Sequence, residues 1–136
     1  MKIGVVLVTH YRLGEELLHA LRLIVPDAPD FQAVSIEPAQ GVEQMRSGIQ
    51  AALEKTDQGE GVLILTDMFG GTPSNISLSF QKDHAVEVVT GVNLPMLIKL
   101  ASGVDPQPLE DLATFIKEYG RRNISVASEI LPGGGS

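Results

Sequence analysis

The stretch from Gly61 to Asn75, with the sequence GVLILTDMFGGTPSN, constrains the fold of this chain more than any other segment. Within it, Val62 to Thr66 form an uninterrupted run of apolar and β-branched residues, which is typical of a strand buried on both faces of a parallel sheet. Asp67 follows directly after this run. We therefore predict a central strand that ends in a carboxylate.

A sharp turn and a helix start are predicted after this carboxylate. Gly70 and Gly71 allow the backbone to turn, and Thr72 and Pro73 suit the N-cap and the first position of a helix. The start of a helix presents free amide groups and a partial positive charge, so it favours a phosphoryl or carboxylate group. Taken alone, such a loop is a weak signal for phosphate binding.

A second apolar run, Ile3 to Val8, predicts another central strand, which leads toward His10. If the two strands are parallel neighbours, His10 and Asp67 leave the sheet at the same carboxyl edge, where open α/β sheets place their chemistry. A histidine beside a carboxylate and a helix start can carry a phosphoryl group. The other histidines, His19 and His84, lie off the apolar face of a helix and in a polar turn, and we expect both to be solvated.

The composition favours one α/β domain. The 136 residues suffice for a single core, and we assign residues 1–130 to it, followed by a flexible Gly-rich tail at 131–136. Hydrophobic residues make up 43% of the chain and aromatic residues only 4%, so the core must be built mainly from Leu, Ile, Val and Ala. Because the chain has no cysteine, disulfides, thiolate metal sites and cysteine nucleophiles are excluded.

Charge and hydropathy exclude two further classes of protein. The formal net charge is −7 and no Lys/Arg cluster is present, so a nucleic-acid backbone would be repelled. The first apolar run is shorter than the apolar region of a signal peptide and much shorter than a membrane span. We therefore expect a cytoplasmic protein that does not bind nucleic acid.

Helical and strand patterns alternate along the rest of the chain. Asn93 and Pro95 repeat the signals of a helix start seen at Thr72 and Pro73. The segment Asn123 to Ser128 has the pattern of a strand without a partner in the parallel set, and it can pair antiparallel at an edge or with another subunit. The other predicted elements are helices over residues 13–24, 42–53, 72–80, 93–100 and 109–119, an edge strand over 31–36 and a fourth strand over 85–89.

Three motifs make essentially the whole chain similar to a known family. They are Thr9-His10 at the end of the first strand, DMFGGTPSN at 67–75 and GVNLPML at 91–97. Together they resemble the EIIA domain of the mannose-type bacterial phosphoenolpyruvate-dependent sugar phosphotransferase system. The resemblance implies that phospho-HPr phosphorylates His10, which passes the phosphoryl group to an EIIB component for coupled sugar uptake and phosphorylation.

The resemblance also has implications for architecture and assembly. It implies a parallel sheet in strand order 2-1-3-4, flanked by helices, with a C-terminal antiparallel strand exchanged in a homodimer. Asn123 to Ser128 can fill that role. The membrane is then reached only indirectly, through the permease complex, and no cofactor is required.

The predicted site has a simple division of roles. If Asp67 accepts a hydrogen bond from Nδ1 of His10, it fixes the tautomer that leaves Nε2 as the nucleophile. A loose, metaphosphate-like transition state needs mainly positioning and charge stabilisation. The amides at 72–75, with the side chains of Thr72 and Ser74, are predicted to bind the phosphoryl group without a metal.

One residue departs from the family pattern, and three other functions are possible. The family usually has Gly directly after the histidine, whereas this chain has Tyr11, which we expect not to take the backbone shapes open to Gly and to cover part of the docking face. The run from His10 to Glu15 also resembles the phosphoryl-carrier subunit of dihydroxyacetone kinase. A regulator that uses the same phosphohistidine as a signal and a small-ligand binding module with a flavodoxin-like sheet are the remaining alternatives.

Overall fold

Strands and helices alternate through most of the chain in the computed structural model, which describes residues 2–132. The strands are β1 (Gly4–His10), β2 (Gln32–Ile36), β3 (Val62–Thr66) and β4 (Val86–Thr90). The helices are α1 (Leu13–Ile24), α2 (Val42–Thr56), α3 (Thr72–Leu78), α4 (Leu94–Ser102), α5 (Leu109–Arg122) and α6 (Ala127–Ile130), with a 3₁₀ turn over Ser79–Lys82. None of the helices in this part of the chain combines the length and apolar character needed to span a membrane.

The four strands form one parallel sheet in the order β2-β1-β3-β4. This confirms the predicted fold class and strand order, and β2 lies at an edge as its half-exposed pattern indicates. In the register between the central strands, Val8 faces Thr66, so His10 and Asp67 extend beyond the last paired residues at the carboxyl edge. The topology therefore brings the two predicted site residues to one place.

The central strands are buried on both faces because their side chains alternate between two apolar layers. On one face Val5 and Leu7 of β1 pack with residues of α1, α4 and α5. On the other face Val6 and Val8 pack with residues of α2 and with Phe80 in the 3₁₀ turn. Since both faces are filled, polar chemistry is left to the strand ends.

The predicted strand over Asn123–Ser128 is wrong for the single chain. Ala127–Ile130 form one helical turn, and residues 124–126 belong to no strand. A strand requires a neighbour for its backbone hydrogen bonds, and within residues 2–132 this segment pairs with no strand of its own chain. Its side chains are exposed, including Ile124, Val126 and Ile130. Of the predicted tail at 131–136, residues 133–136 lie outside the described part of the chain.

Candidate functional site

The candidate site is a histidine held by a carboxylate at the carboxyl edge of the sheet. His10 is the last residue of β1, and Asp67 follows the last residue of β3. The His10 Nδ1 atom lies 2.9 Å from Asp67 Oδ2. The His10 side chain is 48% exposed and that of Asp67 only 13%, so the ring faces solvent while the carboxylate lies beneath it.

Two backbone amides fix the Asp67 carboxylate. Oδ2 also accepts a hydrogen bond from the His10 amide at 3.0 Å, and Oδ1 accepts one from the Met68 amide at 3.0 Å. An ionised carboxylate can only accept hydrogen bonds, so the neutral His10 ring must carry its proton on Nδ1. The lone pair is consequently on Nε2, which is the atom available for attack on an electrophile.

Gly71 makes room for the side of the His10 ring that carries Cε1 and Nε2. A Cβ atom built at this position would lie 2.7 Å from Cε1 and 3.1 Å from Nε2 of His10. The φ of Gly71 is −89°, which any residue can adopt, so the backbone itself does not require glycine here. The glycine is needed because the imidazole occupies the space of a side chain. The sequence pattern predicted that both glycines serve the turn, yet of the two only Gly70, with φ of 86°, has a positive φ.

Gly71→Ala is expected to slow the phosphorylation of His10 that the sequence resemblance implies, roughly 10- to 100-fold, with little change in melting temperature. The new methyl group would push the ring away from the position set by Asp67, although the backbone can accept alanine. Initial rates of phosphate incorporation, measured by intact mass, would test this. Gly41→Ala is the matched control, because Gly41 is also a helix N-cap, has φ of −81° and has no atom within 4 Å of its built Cβ. Equal rates for the two variants would contradict the steric role of Gly71.

The two predicted phosphoryl-binding residues lie in the first turn of α3. The N-cap of this helix is Gly71, one residue earlier than predicted, and no side chain caps it. Thr72 therefore belongs to the helix itself, and Pro73 is tolerated beside it because amides of the first turn need no partner within the helix. Thr72 is exposed, whereas Ser74 is fully buried. Within residues 2–132 neither side chain is hydrogen-bonded to His10, and Ser74 Oγ has no hydrogen-bond partner.

The other histidines lie away from this edge. His19 is exposed on α1, with Nδ1 3.4 Å from Glu16 Oε1. His84 is not fully solvated, contrary to the prediction, because its ring packs against Phe80 with centroids 5.6 Å apart. In the described part of the chain no three His, Asp or Glu side chains are grouped in a way that could hold a metal ion.

Asn93 has the role that the sequence predicted, whereas the backbone of Tyr11 does not have the predicted shape. Asn93 caps α4 as predicted, since its Oδ1 accepts a hydrogen bond from the Met96 amide at 3.1 Å. Its Nδ2 donates to the Gly120 carbonyl at 3.1 Å, which ties α4 to α5 and makes Asn93 a structural residue. The expectation that Tyr11 cannot take a glycine-like backbone shape is wrong, because its φ is 49°.

Comparison with known proteins identifies the family of this chain. A family model described as "PTS system fructose IIA component" matches residues 4–117, which is most of the chain. This chain belongs to the mannose-type EIIA family. EIIA components of the phosphotransferase system are phosphotransfer proteins, and the family assignment confirms the resemblance found in the three sequence motifs.

Alignments with individual relatives cover nearly the whole chain. The mannose-specific EIIAB component of Escherichia coli K12 is 31% identical over 127 residues, which cover 91% of this chain and 39% of that protein. The fructose-specific EIIA component of Bacillus subtilis is 29% identical and covers 95% of this chain and 89% of its own length. The solved structure of the mannose/sorbose-specific IIA subunit from Enterococcus faecalis superposes with a TM-score of 0.82 at 29% identity, covering 93% of this chain and 95% of that one. The chain thus spans well under half of the E. coli relative.

Proposed function

We propose that this chain is a cytoplasmic phosphoryl carrier of a sugar phosphotransferase system, with His10 as the phosphorylated residue. Phospho-HPr is the donor, and an EIIB component is the acceptor. The observation that supports this most strongly is the hydrogen bond of 2.9 Å between His10 Nδ1 and Asp67 Oδ2. It leaves Nε2 with a lone pair on an exposed ring, at the edge of the sheet where a second protein can reach it.

The transfer step follows from the tautomer. Nε2 attacks the phosphorus atom with its lone pair, so that a new N–P bond forms as the N–P bond of the donor breaks. The electron pair of the broken bond returns to the donor, and the proton on Nδ1 stays beside Asp67. The carboxylate stabilises the positive charge that develops on the ring during attack. Transfer to EIIB is the same displacement in the opposite direction.

Thr72 and Ser74 are proposed to bind the phosphoryl oxygens together with the first amides of α3. Gly71, next in sequence to Thr72, lies against the His10 ring, so this turn is beside the atom that gains the phosphoryl group. Thr72 is exposed to solvent, and the buried Ser74 hydroxyl has no hydrogen-bond partner among residues 2–132. Their contribution is stabilisation of negative charge by fixed donors.

The direct test is to incubate the protein with phosphoenolpyruvate, Enzyme I and HPr and to record its intact mass. One acid-labile phosphate is the expected result. Addition of EIIB should then remove that phosphate and transfer it to EIIB. A protein that is phosphorylated but transfers nothing to any EIIB would support the regulatory alternative, and a protein that takes up no phosphate would contradict the proposal.

We also propose that the chain forms a homodimer through its C-terminal segment. β4 is an edge strand with hydrogen bonds to β3 on one side only, and the segment after α5 exposes several apolar side chains in the single chain. An open strand edge and an unpaired apolar segment of the same chain are complementary features for exchange between two copies.

Deletion of residues 123–136 should convert the dimer to a monomer or yield unstable protein. The deletion removes exposed apolar side chains, so it costs the single subunit few contacts but removes the proposed exchange. Light scattering coupled to size-exclusion chromatography measures the result. A control deletion of residues 133–136 alone should stay dimeric. If the longer deletion still produced a stable dimer, the segment would not be the dimer contact.

A further inference from the structure

The turn directly after His10 has a strained backbone. Tyr11 has φ of 49°, and among the non-glycine residues from 2 to 132 it is the only one with a positive φ. This left-handed region crowds the Cβ atom of an L-residue, so the conformation persists only where other contacts hold it. Because φ of Tyr11 orients the peptide group that joins it to His10, relaxation of this turn would also move the histidine.

The hydroxyl group of Thr9 makes two hydrogen bonds across this turn. Thr9 Oγ1 accepts a hydrogen bond from the Gly14 amide at 2.8 Å and donates one to the Tyr11 carbonyl at 3.4 Å. Thr9 is fully buried, so bulk water does not compete for these bonds. On the side of the sheet the Tyr11 amide donates to the Ile36 carbonyl at 2.8 Å. The segment 9–14 is therefore a closed loop that contains His10, and one threonine side chain closes it.

Thr9 also supplies the hydrogen bond that the N-cap residue of α1 does not. The N-cap of this helix is Arg12, which makes no side-chain cap hydrogen bond, and the Gly14 amide belongs to the first turn, where amides have no partner within the helix. A Cβ atom built on Gly14 would lie 3.2 Å from Oγ1 and 3.3 Å from Cγ2 of Thr9. The end of β1 and the start of α1 are thus in close contact at the Thr9 hydroxyl.

The Thr9 side chain lies on the opposite face of the sheet from the His10 ring. Consecutive residues of a strand point to opposite faces, and Thr9 bonds to the start of α1 whereas the His10 ring lies against Gly71 at the start of α3. Nδ1 of the ring is held by Asp67. The Thr9 hydroxyl can therefore influence the reaction only through the backbone on either side of His10.

We infer that Thr9 is a positioning residue for phosphoryl transfer at His10. Its hydroxyl group holds the strained turn closed, so that Nδ1 of the ring stays on the Asp67 carboxylate and Nε2 keeps its orientation for attack. This inference rests on the phosphoryl-carrier function proposed above. The N–P bond still forms at Nε2 as described, and Thr9 exchanges no proton with the reacting groups.

Thr9→Val removes the hydroxyl group while keeping the shape of the side chain. We expect the maximal rate of phosphorylation by phospho-HPr to fall roughly tenfold, with KM within about twofold of the parent value, because a displaced nucleophile impairs the chemical step. The rate with phosphoramidate, a small donor that needs no protein contact, should fall to the same extent. Thr9→Ser keeps the hydroxyl group, and its rates should stay within about twofold of the parent.

Thr66→Val is the matched control for the loss of a buried hydroxyl group. Thr66 directly precedes Asp67 as Thr9 precedes His10, and it is equally buried. Its Oγ1 atom, however, has no hydrogen-bond partner within residues 2–132. Removal of this hydroxyl group breaks no bond there, so the rates of Thr66→Val should equal those of the parent.

Two further measurements separate positioning from stability. Thr9→Val should lower the melting temperature by about 3–6 °C, because α1 loses a bond at its first turn. Asn93→Ala removes the cap of α4 and is the control that loses stability without loss of rate. Long-range proton–nitrogen correlation spectra report the His10 ring directly and need no phosphate. In Thr9→Val the shifts of its two nitrogens should move toward each other, because a loosened ring populates both tautomers.

Several results would overturn the inference. An unchanged maximal rate or unchanged ring nitrogen shifts in Thr9→Val would show that the hydroxyl group serves only as a cap of α1. A loss through KM alone would do the same, as would equal slowing in Thr66→Val or Asn93→Ala. If the parent protein took phosphate from neither donor, the proposed function would be contradicted, and unchanged nitrogen shifts in Thr9→Val would then overturn the positioning role separately.

Discussion

The His10→Ala variant is expected to take up no phosphate from phospho-HPr, while its melting temperature stays within a few degrees of the parent value. The variant lacks the only nucleophile of the proposed reaction. Stability should change little because the side chain is about half exposed and its polar contact in the described part of the chain is the Asp67 carboxylate. Intact mass after incubation with phosphoenolpyruvate, Enzyme I and HPr measures the loss.

Two control variants make this result specific. His19→Ala and His84→Ala each remove one of the other histidines and should be phosphorylated like the parent. His84→Ala is also expected to lower stability modestly, because the ring packs on Phe80. If His10→Ala were still phosphorylated and one of the two controls were not, the phosphorylated residue would be the histidine replaced in that control.

Asp67→Asn should slow phosphorylation of His10 by roughly 10² or more while the protein remains folded. Asparagine is close to aspartate in size and keeps one carbonyl oxygen, which can accept the hydrogen bond of either the His10 amide or the Met68 amide. A neutral amide, however, can also donate to Nδ1, which would allow the tautomer with the proton on Nε2. It also removes the negative charge that stabilises the ring during attack. Single-turnover rates by rapid quench measure the effect.

Asp83→Asn is the matched control for the change in net charge. Asp83 is exposed in the turn before β4, at the opposite edge of the sheet. If Asp67→Asn and Asp83→Asn were both as fast as the parent, Asp67 would have no part in the mechanism. Equal slowing in the two variants would instead show that only the overall charge matters.

The sequence was sufficient to predict the sheet and the contact between His10 and Asp67. The runs at 3–8 and 62–66 have no polar interruption, because both faces of these strands are covered, and that pattern identifies central parallel strands. Once two such strands are neighbours, the residues just beyond them must meet at the carboxyl edge. The contact between His10 and Asp67 therefore follows from topology.

The features that sequence patterns did not predict depend on contacts distant in sequence or on a partner. Gly71 and the His10 ring lie close together although they are 61 positions apart in the sequence. A Gly-Gly pair has the same sequence whether it allows a turn or makes room for another side chain, so the sequence did not predict this proximity. The left-handed Tyr11 is stabilised by the Ile36 carbonyl of a neighbouring strand, against the local preference of tyrosine. The segment 123–128 has strand propensity but no strand neighbour in its own chain, so propensity alone was misleading.

The central claim is that Asp67 holds Nδ1 of His10 and leaves Nε2 to take the phosphoryl group. Long-range proton–nitrogen correlation spectra of the ¹⁵N-labelled protein, recorded before and after phosphorylation at a pH where the ring is neutral, test it most directly. We predict the tautomer with the proton on Nδ1 in the unmodified protein and coupling of phosphorus to Nε2 of His10 afterwards. A proton on Nε2 before the reaction, or phosphorus on Nδ1 or on another histidine after it, would contradict the account.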